Sequence, residues 1–461
     1  MTRFDLERQD TICALATAPQ PAALAVVRVS GRNADRVRAR VFRPRRAHEQ
    51  RPFVATLGDV VDASAPSPAL LDEALCTAFP EGRSYTGEAS FELSLHGGPS
   101  RAKSVLRALV AAGCRLAEPG EMTLRAVLTG RMGLTEAEAV HQLVFARSDE
   151  AARAALRNLH GGLQKALEPV RDAVVDALAE IEARLDFPDE ELGEAELARL
   201  HASLDEARDA LAKLLEGALL GRRLLEGARV VLFGLPNAGK STLLNALVGE
   251  ERALVHESPG TTRDVLEAEA SFGGVPAVLV DVAGVREGPD VHPVEALGVA
   301  RAKDELKRAD LVLLVVDASA ADREPTAAAL RDHALATESV VVLTKRDLVE
   351  GELRVPEGAL ALSARSGEGL AALRDRVQAL LTGERATDRD EALLAGARQK
   401  EEVERAHAAL GEAASALRAG FAHEVVASEL RTAGRALDRL LGRRLDEDVL
   451  DVVFSRFCIG K

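Results

Sequence analysis

The chain is expected to be a multidomain α/β protein: an N-terminal α/β domain, a helical domain, and a P-loop nucleotide-binding domain inserted within the helical one. Three observations predict this. ARVVLFGLPNAGKST (228–242) is an apolar strand running into a Gly-rich loop that opens a Leu-rich helix. AVLVDVAG (277–284), ADLVLLVVDAS (309–319), SVVVLTKRD (339–347) and GALALSARSG (358–367) are further continuous apolar runs, spaced widely enough for helices between them. That is the pattern of a mostly parallel, doubly wound sheet. Segments rich in Ala, Leu, Arg and Glu, with apolar residues at three- and four-residue steps, flank this region at 121–225 and 390–456.

Taken in order, residues 10–115 mix short alternating strands (LAVVRVS, ALCTAF, FELSL) with Pro- and Gly-bearing loops. The helical pattern follows and is broken at FPDEELGE (187–194), where Pro188 discourages helix. Two helical halves around one globular insert read as a single interrupted helical domain. The expected boundaries are 1–118 for the N-terminal domain, 119–216 and 384–461 for the two helical parts, and 217–383 for the insert. A length of 461 residues agrees, since it exceeds one core and implies two to four domains.

Composition narrows the function classes. Aromatic residues are 3%, with no Trp and one Tyr, which argues against a base-stacking platform. A net charge of −14 argues against general nucleic-acid coating, so a nucleic-acid partner needs a local basic patch. GRNADRVRARVFRPRRAHEQR (31–51), with eight arginines against two acids, is the obvious one; it reads either as a solvated helix face and loop or as an RNA contact. Cys13, Cys76, Cys114 and Cys458 form no Cys-x-x-Cys pair, so neither a disulfide frame nor a zinc site is indicated, as suits a reducing cytosol. The start MTRFDLERQD lacks an apolar signal core, and no run of about 18 apolar residues occurs. A soluble, cytoplasmic protein with no membrane partner is expected.

Phosphate chemistry accounts for the order strand, loop, helix. The strand aims the turn, and Gly234 and Gly239 let backbone N–H groups approach oxygens. The helix N-terminus then meets the negative charge. Lys240 is placed for the terminal phosphates and the Ser241 hydroxyl for Mg²⁺, with Asn237, Ala238 and Thr242 completing the cradle. Asp281, in Asp-x-x-Gly, is placed for the Mg²⁺ shell, and Gly284 offers its N–H to a γ-phosphate. A Gly-rich turn that binds nothing is the structural alternative; the downstream strands make it untenable.

This segment resembles the Ras-like GTPases. The resemblance implies that Thr344-Lys345-x-Asp347 selects guanine, with Asp347 accepting from two guanine N–H groups, and that Ser363-Ala364-Arg365 covers the base. Thr344 stands where that family usually has Asn. Val285 follows the Asp-x-x-Gly, where Ras-type hydrolysis uses a glutamine to orient water, so the water needs another residue. Asn237 offers a neutral amide oxygen able to ligate a monovalent cation, and Thr262, in HESPGTTRD (256–264), sits where a switch threonine completes the Mg²⁺ shell.

The whole chain, from Asp10 to Lys461, is similar to the MnmE/TrmE family of tRNA modification GTPases. GLPNAGKST, PGTTRDV, DVAGVRE, VEALGVARA, LDFPDEE, SYTGE, LHGGP, PGEMTLRAVLTGRMGLTEAEAV and the terminal FCIGK carry the likeness. It implies a K⁺ ion held by Asn237 and by the loop around His256, Ser258 and Thr261, with Glu257, Pro259 and Gly260 of that loop, and Val282 and Ala283 beside Asp281, also at the nucleotide. It makes Glu295 the carboxylate that orients water, where sequence alone favours an exposed helix-face residue. It also implies a tetrahydrofolate site built from Arg28, Glu92, Arg131 and Lys461, with the tail folded onto it and Cys458 as nucleophile or structural prop. Departures from the family pattern are Val282 for Thr, His256 in the cation loop, Arg131 for Lys, and PQPAALAVV (19–27) for a Gly-rich loop.

The implied function is a K⁺-stimulated, Mg²⁺-dependent GTPase acting as a homodimer. With an FAD-dependent MnmG/GidA-type partner it adds an aminomethyl or carboxymethylaminomethyl group to the wobble uridine of tRNAs, using a folate one-carbon unit. The competing readings are a ribosome-assembly GTPase, which would carry a second G domain or a KH module with a GXXG loop, neither visible here, and a GTPase scaffold with a degenerate folate site.

Overall fold

In LAVVRVS, Ala25, Val27 and Val29 are buried on one face, and the strand's period of two turns Arg28 to the other. This two-faced strand is central to the first of two sheets in the computed structural model. The structure describes residues 10–46, 51–64, 68–186, 193–249, 266–282, 304–320, 338–351, 353–383, 393–394 and 396–443, with 450, 453–454, 457 and 460 near the end. The chain divides into two units, residues 1–141 with 434–461, and residues 142–433.

In the first unit, strands β1 (Ile12–Leu15), β2 (Leu24–Ser30), β3 (Phe42–Pro44), β4 (Thr56–Asp62), β5 (Ala69–Phe79), β6 (Ser90–His96) and β7 (Arg115–Leu116) lie in the order β3-β4-β5-β6-β2-β1-β7. All neighbours are antiparallel except β1 and β7. Helix α1 (Ala34–Val41) buries Ala34, Val37 and Val41, and α2 (Pro99–Ala111) buries Ala102, Val105 and Leu109. Both stripes follow helical spacing and cover the face of Val27, Val29, Phe91 and Leu93. On the other face Ile12 and Ala14 meet Tyr85 and Met122 of α3 (Glu121–Leu128).

Near the C-terminus the chain returns to this unit, and two glycines permit it. Gly120 has φ +81°, and a Cβ there would lie 2.7 Å from the Phe454 carbonyl oxygen. Phe457 stacks on Phe454 and on His141 of α4 (Leu134–Phe145). Gly460 has φ +96°, and a Cβ would come within 2.3 Å of the Leu15 carbonyl oxygen, so glycine alone fits that close approach to β1. The expected boundary at 118 therefore falls short: residues 119–141 and 434–461 belong with the N-terminal sheet.

In the second unit, α5 (Asp149–Leu159) starts at Ser148, whose hydroxyl accepts from the Ala151 N–H at 3.1 Å. Helices α6 (Gly162–Asp186) and α7 (Glu194–Glu226) follow. α7 runs 33 residues through the boundary expected at 216, because no strong breaker occurs before Gly227, at φ +88°. Strands β8 (Ala228–Phe233), β9 (Leu266–Phe272), β10 (Val275–Asp281), β11 (Leu311–Asp317), β12 (Ser339–Thr344) and β13 (Leu360–Ala361) form a sheet ordered β13-β12-β11-β8-β10-β9. It is parallel except for the β9–β10 hairpin, which the apolar-run pattern did not expose. Val230 and Leu232 face one core while Val231 and Phe233 face another, which is why these strands read as unbroken apolar runs. Helices α8 (Lys240–Gly249) and α9 (Leu370–Thr382) cover the sheet, and α10 (Ala397–Arg418) and α11 (His423–Leu440) resume the helical part.

Helix α7 joins the two parts of this unit. Arg223, near its end and buried, donates to the Leu380 and Leu381 carbonyls, each at 3.0 Å, and with Arg222 pairs Asp310, whose carboxylate also accepts the Arg229 N–H at 2.9 Å. The returning segment at Leu393–Leu394 packs on α7 at Gly221, where a Cβ would lie 2.2 Å from the Leu394 carbonyl oxygen, and the Leu393 carbonyl accepts from Asn158 of α5 at 2.9 Å.

Two helical glycines should consequently respond in opposite directions to the same substitution. At Gly411 in α10 the nearest atom to a Cβ is 3.8 Å away, so Gly411→Ala should stabilise by about 0.5–1 kcal/mol through helix propensity. Gly221→Ala gains the same propensity but must displace a backbone carbonyl, and its thermal midpoint should fall; a rise at both positions would refute the packing described.

Candidate functional site

The C-terminal edge of the parallel sheet gathers the nucleotide residues. β8 pairs with β10 so that Leu232 lies beside Asp281, and with β11 so that Phe233 lies beside Leu314. The loop after β8 therefore opens next to both neighbours. A Cβ at Gly234 would sit 2.2 Å from the Val315 carbonyl oxygen, so only glycine allows this approach. Asn237 and Gly239 take left-handed backbones, φ +63° and +94°, which turn the chain into α8. Lys240 is buried and its ammonium donates to the Gly234 and Leu235 carbonyls at 3.1 and 3.0 Å. Burial lowers its pKa, and the Asp281 carboxylate opposes that shift. The Ser241 hydroxyl donates to Asp281 Oδ2 at 2.5 Å, which makes an exposed pair of oxygens of the kind a hard cation takes.

Thr344 ties the base-facing segment to the phosphate loop. Its hydroxyl is buried and reaches the Ala238 carbonyl at 2.5 Å and the Val316 carbonyl at 3.1 Å. The β-branched hydroxyl thus bonds the loop from the position where the Ras-like pattern has an amide. Lys345, at φ +56°, pairs Asp317 at 2.7 Å, and Asp347 follows in a short turn, its side chain exposed. The Arg346 N–H donates to the Leu362 carbonyl at 3.1 Å, which brings Ser363, Ala364 and Arg365 alongside. Val282, buried, and Thr242, exposed, complete the described part of this edge. His256, Glu257, Ser258, Pro259, Gly260, Thr261, Thr262, Ala283, Gly284 and Glu295 lie outside the described residues, as do Cys458 and Lys461.

The N-terminal residues also converge. Arg28 and Glu92 are register partners on β2 and β6, and their side chains form an ion pair at 2.8 Å. The Arg28 guanidinium stands 4.9 Å from the centre of the Tyr85 ring. Arg131 reaches the same loop, donating from Nε to the Ser84 carbonyl at 3.1 Å. Gly460 packs on Leu15, which pairs with Val27, the neighbour of Arg28. Three of the four residues expected to take folate thus meet around one loop, and Gly460 packs near it. Ala22 and Ala23, exposed, are held by backbone bonds to Gly97.

What the sequence reading missed is the frame behind this loop. Arg125, buried, donates to the Asp10 carboxylate at 2.6 Å, to Glu121 at 3.0 Å and to Glu88 at 3.2 Å, while Arg115 bonds Glu121 and Asp10. Glu88 accepts from Ser30 at 2.7 Å, the Thr129 hydroxyl donates to the Thr86 carbonyl, and the Tyr85 hydroxyl bonds Thr123 at 2.8 Å. The signal was present: Glu121 and Arg125 are four apart on a helix, a spacing that pairs charges. Burial pushes the Asp10 and Glu121 carboxyls up, but the guanidinium bonds outweigh it and hold both below their usual values. The fold also places the Cys13 and Cys114 thiols in contact, inside the N-terminal core; the bond to Cys114, with burial, pushes the Cys13 thiol far up.

Known proteins resemble the chain over its length. A family model described as the MnmE helical domain matches residues 134–458, and one described as the N-terminus of the GTP-binding protein TrmE matches residues 11–131. The tRNA modification GTPase MnmE of Symbiobacterium thermophilum is 42% identical over 98% of this chain and 100% of its own length. Those of Opitutus terrae and Thermus thermophilus are each 40% identical over 98% of this chain and 99% of their own. Among solved structures, the G domain of the T. maritima FeoB iron transporter is 27% identical over 33% of this chain and 98% of its own, with a TM-score of 0.26. Among the described residues no helix is long and apolar enough to cross a membrane.

The carboxylate–arginine frame should show in acid. Carboxyls held below their ordinary values contribute stability that is complete above about pH 5 and lost as pH falls through the lower folded values. Arg125→Gln should destabilise the N-terminal unit at pH 7, by about 3 kcal/mol, because it strands buried carboxylates, and should flatten its loss of stability below pH 4. An unchanged midpoint-against-pH curve would contradict the arrangement.

Proposed function

Because this chain belongs to the MnmE family of tRNA modification GTPases, we propose that it is a K⁺-stimulated, Mg²⁺-dependent GTPase working in tRNA wobble-uridine modification. In this reading it acts as a cytoplasmic homodimer with an FAD-dependent MnmG/GidA-type partner, and a folate one-carbon unit is the source of the added aminomethyl or carboxymethylaminomethyl group. The observation that carries the GTPase half is the meeting of Lys240, Ser241, Asp281 and the Thr344–Asp347 turn at one sheet edge. Agreement of both flanking regions with family models favours the tRNA reading over a ribosome-assembly GTPase.

The residues divide the work by their chemistry. Backbone N–H groups from Asn237 to Thr242, at the start of α8, cradle the phosphates, and Lys240 turns its ammonium from the loop carbonyls to the β- and γ-oxygens. Ser241 and Asp281, with Thr262, would hold Mg²⁺, which when bound would supply positive charge against that of the phosphates. Asn237, on a left-handed turn beside the cradle, would hold K⁺ through its amide oxygen, with His256, Ser258 and Thr261, and that ion would supply the charge an arginine finger supplies in other GTPases. Glu295 orients the attacking water, because Val285 has no polar atom to do so. Asp347 accepts from guanine while Thr344 fixes its turn to the phosphate loop.

At the N-terminal site, Glu92 suits the amide and amidine edge of a pterin, and Arg28, Arg131 and Lys461 suit the anionic tail of folate. Cys458 acts beside it as nucleophile or prop.

GTP hydrolysis should be at least about tenfold faster in K⁺ than in Na⁺, a difference of about 1.4 kcal/mol in barrier, and Asn237→Ala should erase the difference. Glu295→Ala should abolish hydrolysis while GTP affinity stays intact. Equal rates in both salts would reject the cation role. Separately, calorimetry with 5-formyl-tetrahydrofolate should show binding that Glu92→Gln weakens about tenfold; no binding by an active GTPase would leave only the scaffold reading.

A further inference from the structure

The arginine-rich segment gains a second component when the chain folds. Residues 32–46 carry seven arginines and one acid, Asp35, in a chain of net charge −14. Along α1 and just before it, Arg32, Arg36 and Arg40 are exposed, spaced four apart, while Ala34, Val37 and Val41 are buried beneath them. That spacing sets Arg36 and Arg40 on one stripe of α1, about 6 Å of rise apart, with Arg32 in the turn just before the helix. Helix α2, packed beside α1 on the same sheet face, adds exposed Arg101, Lys103 and Arg107 and no acid. Some of this charge is spent locally: Arg38 pairs Asp35, Arg45 pairs Glu73, Arg40 donates to the Ala112 carbonyl, Arg101 to the Leu71 carbonyl, and Arg107 to Ser104. Arg107 also faces Asp62. Arg32, Arg36, Arg43 and Lys103 form no ion pair among the described residues.

We propose that the α1–α2 layer is a docking surface for an RNA backbone, and that its occupant is the tRNA on which the proposed function acts. The arginine stripe takes phosphates. The layer covers the sheet face opposite Arg28 and Glu92, so it holds a part of the tRNA remote from the base being modified. This inference rests on the tRNA reading but not on the folate site.

The test is binding of the full chain to an unmodified tRNA transcript, by fluorescence anisotropy across a salt series. Arg32→Glu, Arg36→Glu and Lys103→Glu together should weaken binding at least about tenfold and lower the slope of log affinity against log salt by about 2 to 3. Basal GTPase rate and thermal midpoint, which this variant should not move, show that the fold survives. A control reversal of exposed Arg153, Arg199 and Lys400 in the helical part should leave affinity unchanged. Equal weakening by the control, an unaltered affinity in the triple variant, or no saturable tRNA binding by the unaltered chain would each overturn the proposal. The last result, with K⁺-stimulated GTPase and folate binding intact, would remove the docking surface and leave the nucleotide and folate readings standing.

Discussion

The nucleotide edge depends on how close β8 comes to β11. Gly234 leaves the strand so near the Val315 carbonyl that any side chain there would have to displace backbone. That proximity lets the loop after β8 turn under Thr344, whose hydroxyl spans to the Ala238 carbonyl and back to Val316. The other neighbour is set by register: Asp281 pairs across from Leu232, and its carboxylate reaches Ser241 one residue into α8. Phosphate loop, cation oxygens and base turn are therefore fixed relative to one another by the sheet, with little left to loop flexibility.

At the opposite edge the same sheet is bolted to the helical part by charge. Arg223 and Asp310 are both buried, and each has several bonds, with Arg222 and the Arg229 N–H filling the remaining positions on the carboxylate. Arg229 in turn pairs Glu305 and Glu267. Such a cluster adds little net stability compared with apolar packing, but its geometry admits one arrangement, and removing a member strands a charge. It determines where α7 ends and β8 begins.

The N-terminal unit repeats this use of buried charge. Arg125, Arg115, Asp10, Glu121 and Glu88 hold the loop of residues 84–88 against α3, and that loop sets the Tyr85 ring beneath Arg28. The ion pair of Arg28 with Glu92 thus stands on a rigid support whose members are spread over more than a hundred residues of chain, from Asp10 to Arg125.

The sequence by itself determined the strand-loop-helix at 228–242, the apolar strands at 277–281, 311–317 and 339–344, and the N-terminal strands at 24–30 and 90–96, because these rest on local periodicity and turn chemistry. The lysine, serine and aspartates of the nucleotide edge were legible for the same reason: their spacing within each motif is their geometry. What local pattern left open was decided by packing. The first helical part runs to 226, not 216, because α7 meets no strong breaker before Gly227, and what no window of sequence contains is the returning Leu393–Leu394 segment for which Gly221 makes room. Residues 119–141 and 434–461 joined the N-terminal sheet because Gly120 and Gly460 accept the backbone of chain far distant in sequence. The carboxylate–arginine frame, the Cys13–Cys114 contact and the meeting of Arg28, Glu92 and Tyr85 likewise join residues far apart in the chain. Closing such distances is a property of the whole core, which only the tertiary structure expresses.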